Sequence, residues 1–456
     1  MDLAHQKVLV VGFGKTGEAL TEFLYKRGAR VKISENKRAD ELEMDPVCWQ
    51  ERGVEVETGA HRLDSFLEAD LIIPSPGVLP SLPELLAARA HGIKILSEIE
   101  LAFRFLKGKI VGITGSNGKS TTATLAHKIL KEAGLKSFLA GNIGTPLISF
   151  VDRSRDDHIY VTEISSFQLH FGELFKAPMA AFLNISVNHL DWHGSFEDYY
   201  AAKRKLLMGQ DREDTAILNR DDRLVWGLRK EVSSRVFGFS RKRPVSRGCS
   251  IRDGWVVLSD KRDEKILAVE AIPLLGAHNQ ENVMAAAIVG HLFEVPAARM
   301  RRSIRDFQSL EHRLEKVLTL KGVAFVNDSK ATSVDATIKA LQSFDQQIVL
   351  ILGGRDKGDD FTRLRKIVKE KVRKMILIGE AEGKIGDSLR GASPMAAASS
   401  MREAVGLGFA SALPGDIVLL APACTSFDMF RNFEDRGRVF KAEVRRLARK
   451  YKKERV

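Results

Sequence analysis

The residues best suited to chemistry stand in the run Gly112-Ile113-Thr114-Gly115-Ser116-Asn117-Gly118-Lys119-Ser120-Thr121-Thr122. An apolar, strand-like lead, Lys109-Ile110-Val111, enters it, and a helical pattern over Ser120–Ala133 leaves it. Small residues let backbone N–H groups close on an anion, and the helix N-terminus adds its positive dipole end. Gly115, Ser116, Asn117, Gly118 and Thr121 would then cradle phosphates. Lys119 would reach the β- and γ-phosphates, and the Ser120 hydroxyl would ligand Mg²⁺. The strict spelling of such a loop has glycine at position 113, where this chain has isoleucine. The order strand, loop, helix still favours an ATP site over a chance Gly-Lys-Ser-Thr.

Further on, the strand pattern Ile159–Thr162 ends in Glu163-Ile164-Ser165-Ser166-Phe167-Gln168. A carboxylate at that strand end is placed to hold Mg²⁺; the plainer reading is a solvated glutamate. His189, Asp191 and His193 alternate, so on an extended segment they would share one face, as metal ligands do. No further ligand cluster follows, and no dedicated zinc site is expected. Lys203 lies in a helical stretch, Tyr199–Lys205, where by its type alone it is one basic residue among several.

The elements that must position these groups repeat one design. Val8-Leu9-Val10-Val11, the turn Gly12-Phe13-Gly14-Lys15-Thr16-Gly17 and an apolar-periodic helix open the chain, and Val31-Lys32-Ile33 follows, ending at Ser34-Glu35. Alone, this is a dinucleotide-binding fingerprint and suggests a dehydrogenase; the same loop can hold any diphosphate. Leu71-Ile72-Ile73-Pro74-Ser75-Pro76-Gly77 reads as another strand ending in a tight loop, and a break follows near 97–107. Strands are predicted at Ala180–Leu183 and Thr215–Leu218, and a small antiparallel layer over 235–275. From His312, strands at 323–326, 348–352, 375–378 and 417–420 alternate with helices, the order of a covered parallel sheet. The fold class is α/β in three domains. A Rossmann-like N-terminal domain spans 1–98, a phosphate-loop ATPase-like domain with a parallel sheet 99–311, and a Rossmann-like C-terminal domain 312–456.

The chain has 456 residues, a formal charge of +12 and three well-separated cysteines, Cys48, Cys249 and Cys424. No apolar run approaches the ~20 residues of a membrane span, and the first residues lack a signal-peptide profile. A cytoplasmic protein is expected. Basic residues concentrate at Lys441, Arg445, Arg446, Arg449, Lys450, Lys452, Lys453 and Arg455. Val444, Leu447 and Ala448 give that stretch an apolar face, so it reads as a solvated terminal helix rather than a nucleic-acid contact.

Taken together, several motifs resemble the Mur ligase family, nearly end to end and in order. They are the phosphate loop, Gly141-Asn142-Ile143-Gly144, Glu163–Leu169, His189-Leu190-Asp191, Ala201-Ala202-Lys203, Gly276-Ala277-His278-Asn279, His312-Arg313, Asn327–Thr332 and 422–437. The glycine loop at 12–17 and Ser75-Pro76-Gly77 are most similar to its D-glutamate-adding members. The resemblance implies an ATP-dependent, ADP-forming ligase of peptidoglycan synthesis. It would join D-glutamate to UDP-N-acetylmuramoyl-L-alanine through an acyl phosphate, as a monomer. Two Mg²⁺ ions are implied: Ser120 and Glu163 would hold one, and Glu163, His189 and a carbamylated Lys203 the other. Lys119, Glu163, His189 and Lys203 would form the catalytic set. Asn279, Arg313 and Asp328 would meet the adenine, phosphate and ribose of ATP. Thr16, Gly17, Gly77, Asn142, Ser165 and Gln168 would line the nucleotide-sugar site. Thr332, Lys357, Ser426 and Phe433 would surround D-glutamate, with Lys330 near the reacting phosphate. The chain departs from the family pattern at Ser34-Glu35, where an aspartate is frequent, and at Asn188, where a carboxylate is common. Folate-specific relatives spell the loop Gly-Lys-Gly-Ser, and the diaminopimelate- or lysine-adding members carry an Asp-Asn-Pro-Arg motif absent here. A dehydrogenase, or a nucleotide-dependent scaffold on nucleic acid, would leave the motifs at 163, 189 and 203 unexplained.

Overall fold

The computed structural model describes residues 1–42 and 45–453. Apolar β-branched runs build three sheets. In the first, five parallel strands follow the order Glu55–Thr58, Arg30–Glu35, Lys7–Val11, Leu71–Pro74 and Lys94–Ile95. The strand Lys7–Val11 is therefore central, and the glycine loop after it opens where the strand order reverses, the place such sheets use for ligands.

Nine strands form the second sheet, with Met179–Phe182, Lys109–Thr114 and Ile159–Glu163 side by side and parallel. The stretch expected to be a small antiparallel layer appended to the sheet does extend it, but is antiparallel only at its end. Arg235–Ser240 pairs parallel with Thr215–Asn219, Gly248–Arg252 pairs parallel with Arg235–Ser240, and only the last two strands, Trp255–Ser259 and Asp263–Ala268, run antiparallel. Phe237 and Phe239 are buried, in keeping with a parallel strand covered on both faces.

The third sheet runs Glu315–Leu320, Val323–Asn327, Ile417–Leu420, Ile348–Gly353, Val372–Ile378 and Met395–Ala398, parallel except for the first strand. Ile417–Leu420 lies between Val323–Asn327 and Ile348–Gly353, so the loops leaving these three strands sit together. The helix Phe433–Lys453 buries Phe440 and Val444 in this sheet's core, with Leu447 packed against it. Its basic residue Lys441 is buried and ion-paired with Glu311 and Glu315. Arg455 lies outside the described residues, as do the side chains of Lys452 and Lys453.

The chain divides into two compact units, one of Met1–Val269 with Glu281–Ile304, the other of Glu270–Gln280 with Arg305–Val456. Within the first unit, the two sheets share one core: Val10, Leu20 and Ile73 belong to the same apolar cluster as Ile99, Ile110 and Tyr160. Among the described residues no helix is long and apolar enough to cross a membrane.

Candidate active site

The phosphate loop follows the strand Lys109–Thr114 and feeds the helix Lys119–Glu132. Gly118 is its N-cap at φ +86°, in the left-handed region, and a Cβ there would fall 2.2 Å from Asn282 Oδ1. Only glycine fits both demands. Asn184 fixes the loop from the neighbouring strand end. Its Oδ1 accepts from Asn117 N–H at 2.9 Å, its Nδ2 donates to Asn117 O at 3.0 Å, and its carbonyl accepts from Ser116 N–H at 2.9 Å. Lys119 Nζ reaches back over the loop to the carbonyls of Gly115 (2.9 Å) and Ser116 (3.2 Å). Ser120 and Thr121 are buried in the first turn of the helix.

Lys203 is brought to this loop by close packing. A Cβ on Gly112 would meet Leu206 Cδ1 at 2.9 Å, so its absence lets the helix Phe196–Met208 settle on the strand. Gly112 and Thr114 share one strand face, and Lys203 and Leu206 share one helix face. Lys203 Nζ thereby donates to Thr114 Oγ1 at 3.3 Å, while Thr114 Oγ1 donates to Ile164 O at 2.9 Å. The amine is 1% exposed and lies 4.9 Å from the Tyr199 ring centre. Burial pushes its pKa far down and the Lys119 ammonium adds to this, with the Glu163 carboxylate pulling the other way. Tyr199 O–H in turn bonds Ser116 Oγ at 3.0 Å, and its ring is 6.1 Å from that of His189.

Glu163 is buried at its strand end, and its Oε1 accepts from Asn142 Nδ2 at 2.9 Å. Ser165 caps the short helix Ser166–His170 in a box with Gln168. Ser120 offers a hydroxyl and Glu163 a carboxylate, the oxygen donors a hard cation takes, whereas the His189 imidazole is a softer nitrogen donor. Burial favours the Lys203 free amine over the ammonium, and the free amine is the form that can add CO₂. The alternation of His189, Asp191 and His193 is lost in the fold. His189 is left-handed at φ 55°, Leu190–His193 is a helical turn, and Asp191 is exposed. His193 turns inward to Ser166 Oγ at 2.9 Å, and burial, helped by His170 and Lys203, lowers its pKa to about 4.

At the first sheet, a cleft of ≈ 780 Å³ is lined by residues 12–16, 35–37, 60–61, 75–79 and 82–84. Thr16 and Gly77 line it, whereas Gly17 is buried beneath the loop. Glu35, the acid a dehydrogenase would turn to a ribose, accepts from Phe13 N–H at 2.7 Å and Lys37 N–H at 2.9 Å.

In the second unit the loops after Val323–Asn327 and Ile417–Leu420 are tied by Arg436. This buried guanidinium donates to Ser329 Oγ (3.0 Å), Ser329 O (2.9 Å), Cys424 O (3.1 Å) and Thr425 O (3.0 Å). Burial lowers its pKa to about 10. Lys330 Nζ lies 3.7 Å over the Phe433 ring, Ser426 is buried, and Thr332 and Lys357 are half-buried on neighbouring loops. Asp328 is buried, accepts from Leu314 N–H at 3.2 Å, and burial raises its pKa to about 7. Arg313 tempers that rise. Asn279 Nδ2 donates to Leu275 O at 2.6 Å.

The chain matches the Mur ligase MurD-like N-terminal domain over residues 6–97, the Mur ligase middle domain over 113–290 and the Mur ligase glutamate ligase domain over 312–424. It is 48% identical to the UDP-N-acetylmuramoylalanine--D-glutamate ligase of Acidobacterium capsulatum, across 97% of this chain and 96% of that one. The chain belongs to the Mur ligase family. The same-named ligase of Koribacter versatilis is 45% identical across 99% of this Mur ligase and 100% of its own length. Among solved structures, the UDP-N-acetylmuramate-alanine ligase of Thermotoga maritima shares the fold, with a TM-score of 0.62 at 16% identity over 97% of this chain and 99% of that one.

Sequence reasoning passed over four residues of this Mur ligase's candidate site. Thr114 and Tyr199 touch Lys203, Asn184 holds the phosphate loop, and Arg436 ties the C-terminal loops. A polar residue ending a strand beside a glycine loop marks Thr114 and Asn184 in retrospect. Arg436 carries no such mark, standing among other charges in an ordinary helix.

Proposed function

We propose that this Mur ligase joins D-glutamate to the carboxylate of UDP-N-acetylmuramoyl-L-alanine while converting ATP to ADP and phosphate. A carboxylate is a poor acyl donor, so one of its oxygens attacks the γ-phosphorus and ADP leaves, giving an acyl phosphate. The D-glutamate amine attacks the acyl carbon, phosphate departs with its bonding pair, and the amine loses a proton. The phosphate-loop N–H groups and Lys119 would hold the β- and γ-phosphates in line, where most catalysis of phosphoryl transfer resides. Asn279, Arg313 and Asp328 would complete the ATP site. The cleft at the first sheet, with Thr16 and Gly77 in its lining, would take the uridine diphosphate, and Gly17 would hold the loop from beneath. Asn142, Ser165 and Gln168 would meet the muramoyl-alanine. Lys330, Thr332, Lys357, Ser426 and Phe433 would bind the D-glutamate, a lysine and hydroxyls suiting a dicarboxylate.

The observation that carries this reading is the buried Lys203 amine beside the phosphate loop, with Glu163 acting on its charge. Held as the free base, Nζ would add to CO₂, forming an N–C bond and releasing a proton, and so become a carboxylate-like group. Ser120, Glu163, His189 and that carbamate would hold two Mg²⁺ ions, which neutralise phosphate charge when bound. The cysteines Cys48, Cys249 and Cys424 are free, which supports a cytoplasmic setting. One chain carries every candidate group, which supports a working monomer. The test is ADP and phosphate release by the purified protein with Mg·ATP and UDP-N-acetylmuramoyl-L-alanine. D-glutamate should drive turnover; L-glutamate, L-lysine and no amino acid should not. Turnover with another amino acid, or none with D-glutamate, would reject the reading.

A further inference from the structure

The cleft at the first sheet carries a hydrogen-bonded pair, Ser34 and His61, to which none of the roles above is given. Ser34 stands next to Glu35 at the end of the strand Arg30–Glu35. Its carbonyl accepts from Gly12 N–H at 2.9 Å, which ties it to the glycine loop. Its Oγ lies 2.8 Å from His61 Nδ1. His61 follows the strand Glu55–Thr58 and stands in the cleft wall. Gly59 N–H donates to Lys37 O at 2.8 Å, so the loops on either side of the pair are fixed to each other. The imidazole meets the fully buried Phe66 ring edge-on, with centres 5.7 Å apart and planes at 79°. The ring is thus held both in place and in orientation.

The pair has one consistent polarity. Ser34 is 0% exposed, and a buried hydroxyl proton needs an acceptor. Among the described residues His61 Nδ1 is the only partner of Ser34 Oγ, so Ser34 donates and Nδ1 accepts. A proton on Nδ1, in the other tautomer or in the imidazolium, would leave the Ser34 proton with nowhere to go. The neutral ring therefore carries its proton on Nε2. Nε2 makes no hydrogen bond among the described residues, and it is the polar atom His61 offers to the cleft.

We propose that Ser34 locks His61 in the Nε2–H tautomer, and that this N–H donates to an acceptor oxygen of the nucleoside held in the cleft. The start of the helix Lys15–Lys26, after the glycine loop, suits the diphosphate. His61 lies beyond Glu55–Thr58, two strands from Lys7–Val11 in the sheet order, about 10 Å across at the ~4.8 Å spacing of strands. That distance sets it at the nucleoside end of the ligand. The ligand's identity rests on the proposed function; the tautomer does not.

Titration calorimetry of the full chain with UDP at pH 8 reads the donor. His61→Leu should weaken UDP about tenfold, with Mg·ATP binding changed less than about twofold. His61→Gln, whose amide carbonyl can accept from Ser34 while its NH₂ faces the cleft, should stay within about threefold of the parent. Uridine, followed by ligand-observed NMR, should lose the same factor as UDP in His61→Leu. The lock is read without any ligand. Nitrogen-15 NMR of the parent at pH 8 should show His61 protonated at Nε2 and bare at Nδ1, its signals assigned by their loss in His61→Gln. Ser34→Ala should show both tautomers. UDP binding unchanged in His61→Leu, an equal loss for Mg·ATP, a loss with UDP but not with uridine, or a proton on Nδ1 in the parent would overturn the proposal. A parent protein that binds no UDP would instead strike the proposed function, leaving the ligand-free tautomer to decide the lock.

Discussion

Replacing Lys203 by methionine separates chemistry from stability. The Lys203 side chain makes one hydrogen bond, 3.3 Å to Thr114 Oγ1, and no ion pair among the described residues. Losing that bond costs about 1 kcal/mol. Removing a polar amine from a fully buried site returns about 1–3 kcal/mol. Methionine has nearly the same length and leaves little cavity. The net change is then within about 2 kcal/mol of zero, and the melting temperature of Lys203→Met should lie within about 5 °C of the parent or above it. Turnover should fall at least ~100-fold, about 3 kcal/mol of transition-state stabilisation, because no carboxylate-like group can form at 203. Scanning fluorimetry and ADP release on the same samples read both quantities. In Lys203→Ala, added formate or acetate should restore part of the lost activity. A methionine variant that keeps a tenth of the activity, or melts more than about 10 °C lower, would refute the reasoning.

Three further outcomes follow from the geometry. Gly118→Ala should cost about 1–2 kcal/mol for its left-handed φ and about 1 kcal/mol more, because the new Cβ displaces Asn282 from Thr122 (3.2 Å); a lower melting temperature and a raised KM for ATP check it. Arg436→Met leaves the carbonyls of Ser329 and Cys424 without their donor, and Thr425 O with only the Arg355 N–H, and should destabilise by about 3–5 kcal/mol, with Arg436→Lys recovering part; thermal melts and the KM for D-glutamate read both effects. Asp328 has a folded pKa of about 7, raised above the ordinary carboxylate value by burial, so its contribution to stability is full below pH 4 and is lost as pH rises to 7. Asp328→Asn keeps an acceptor for Leu314 N–H, so its melting temperature relative to the parent should rise between pH 4 and 7 and level off above.

The phosphate loop could be read directly, because a glycine turn between an apolar strand and a helix leaves few alternatives. The strands of the third sheet were legible for a similar reason: Ile348–Gly353 and Ile417–Leu420 are short apolar runs between polar loops. Glu55–Thr58 and Met395–Ala398 were not legible, since neither is strongly apolar and each forms only because a neighbouring edge is waiting for it. The helical turn at Leu190–His193 hid behind an alternation of polar residues that any conformation can carry. Lys203 is the clearest case of context. By type it is a basic residue on a helix, and only the fold, which packs Leu206 of that helix over Gly112, sets it beside Thr114.

The most direct test of the account labels the attacking oxygen. UDP-N-acetylmuramoyl-L-alanine carrying ¹⁸O in its free carboxylate is turned over with Mg·ATP and D-glutamate, and the released phosphate is analysed by mass spectrometry. The account predicts that each phosphate acquires one labelled oxygen from the carboxylate, that its release requires D-glutamate, and that the product is heavier by one glutamyl residue. Unlabelled phosphate would mean that water, not the substrate carboxylate, attacks the γ-phosphorus, and would contradict the acyl-phosphate ligase.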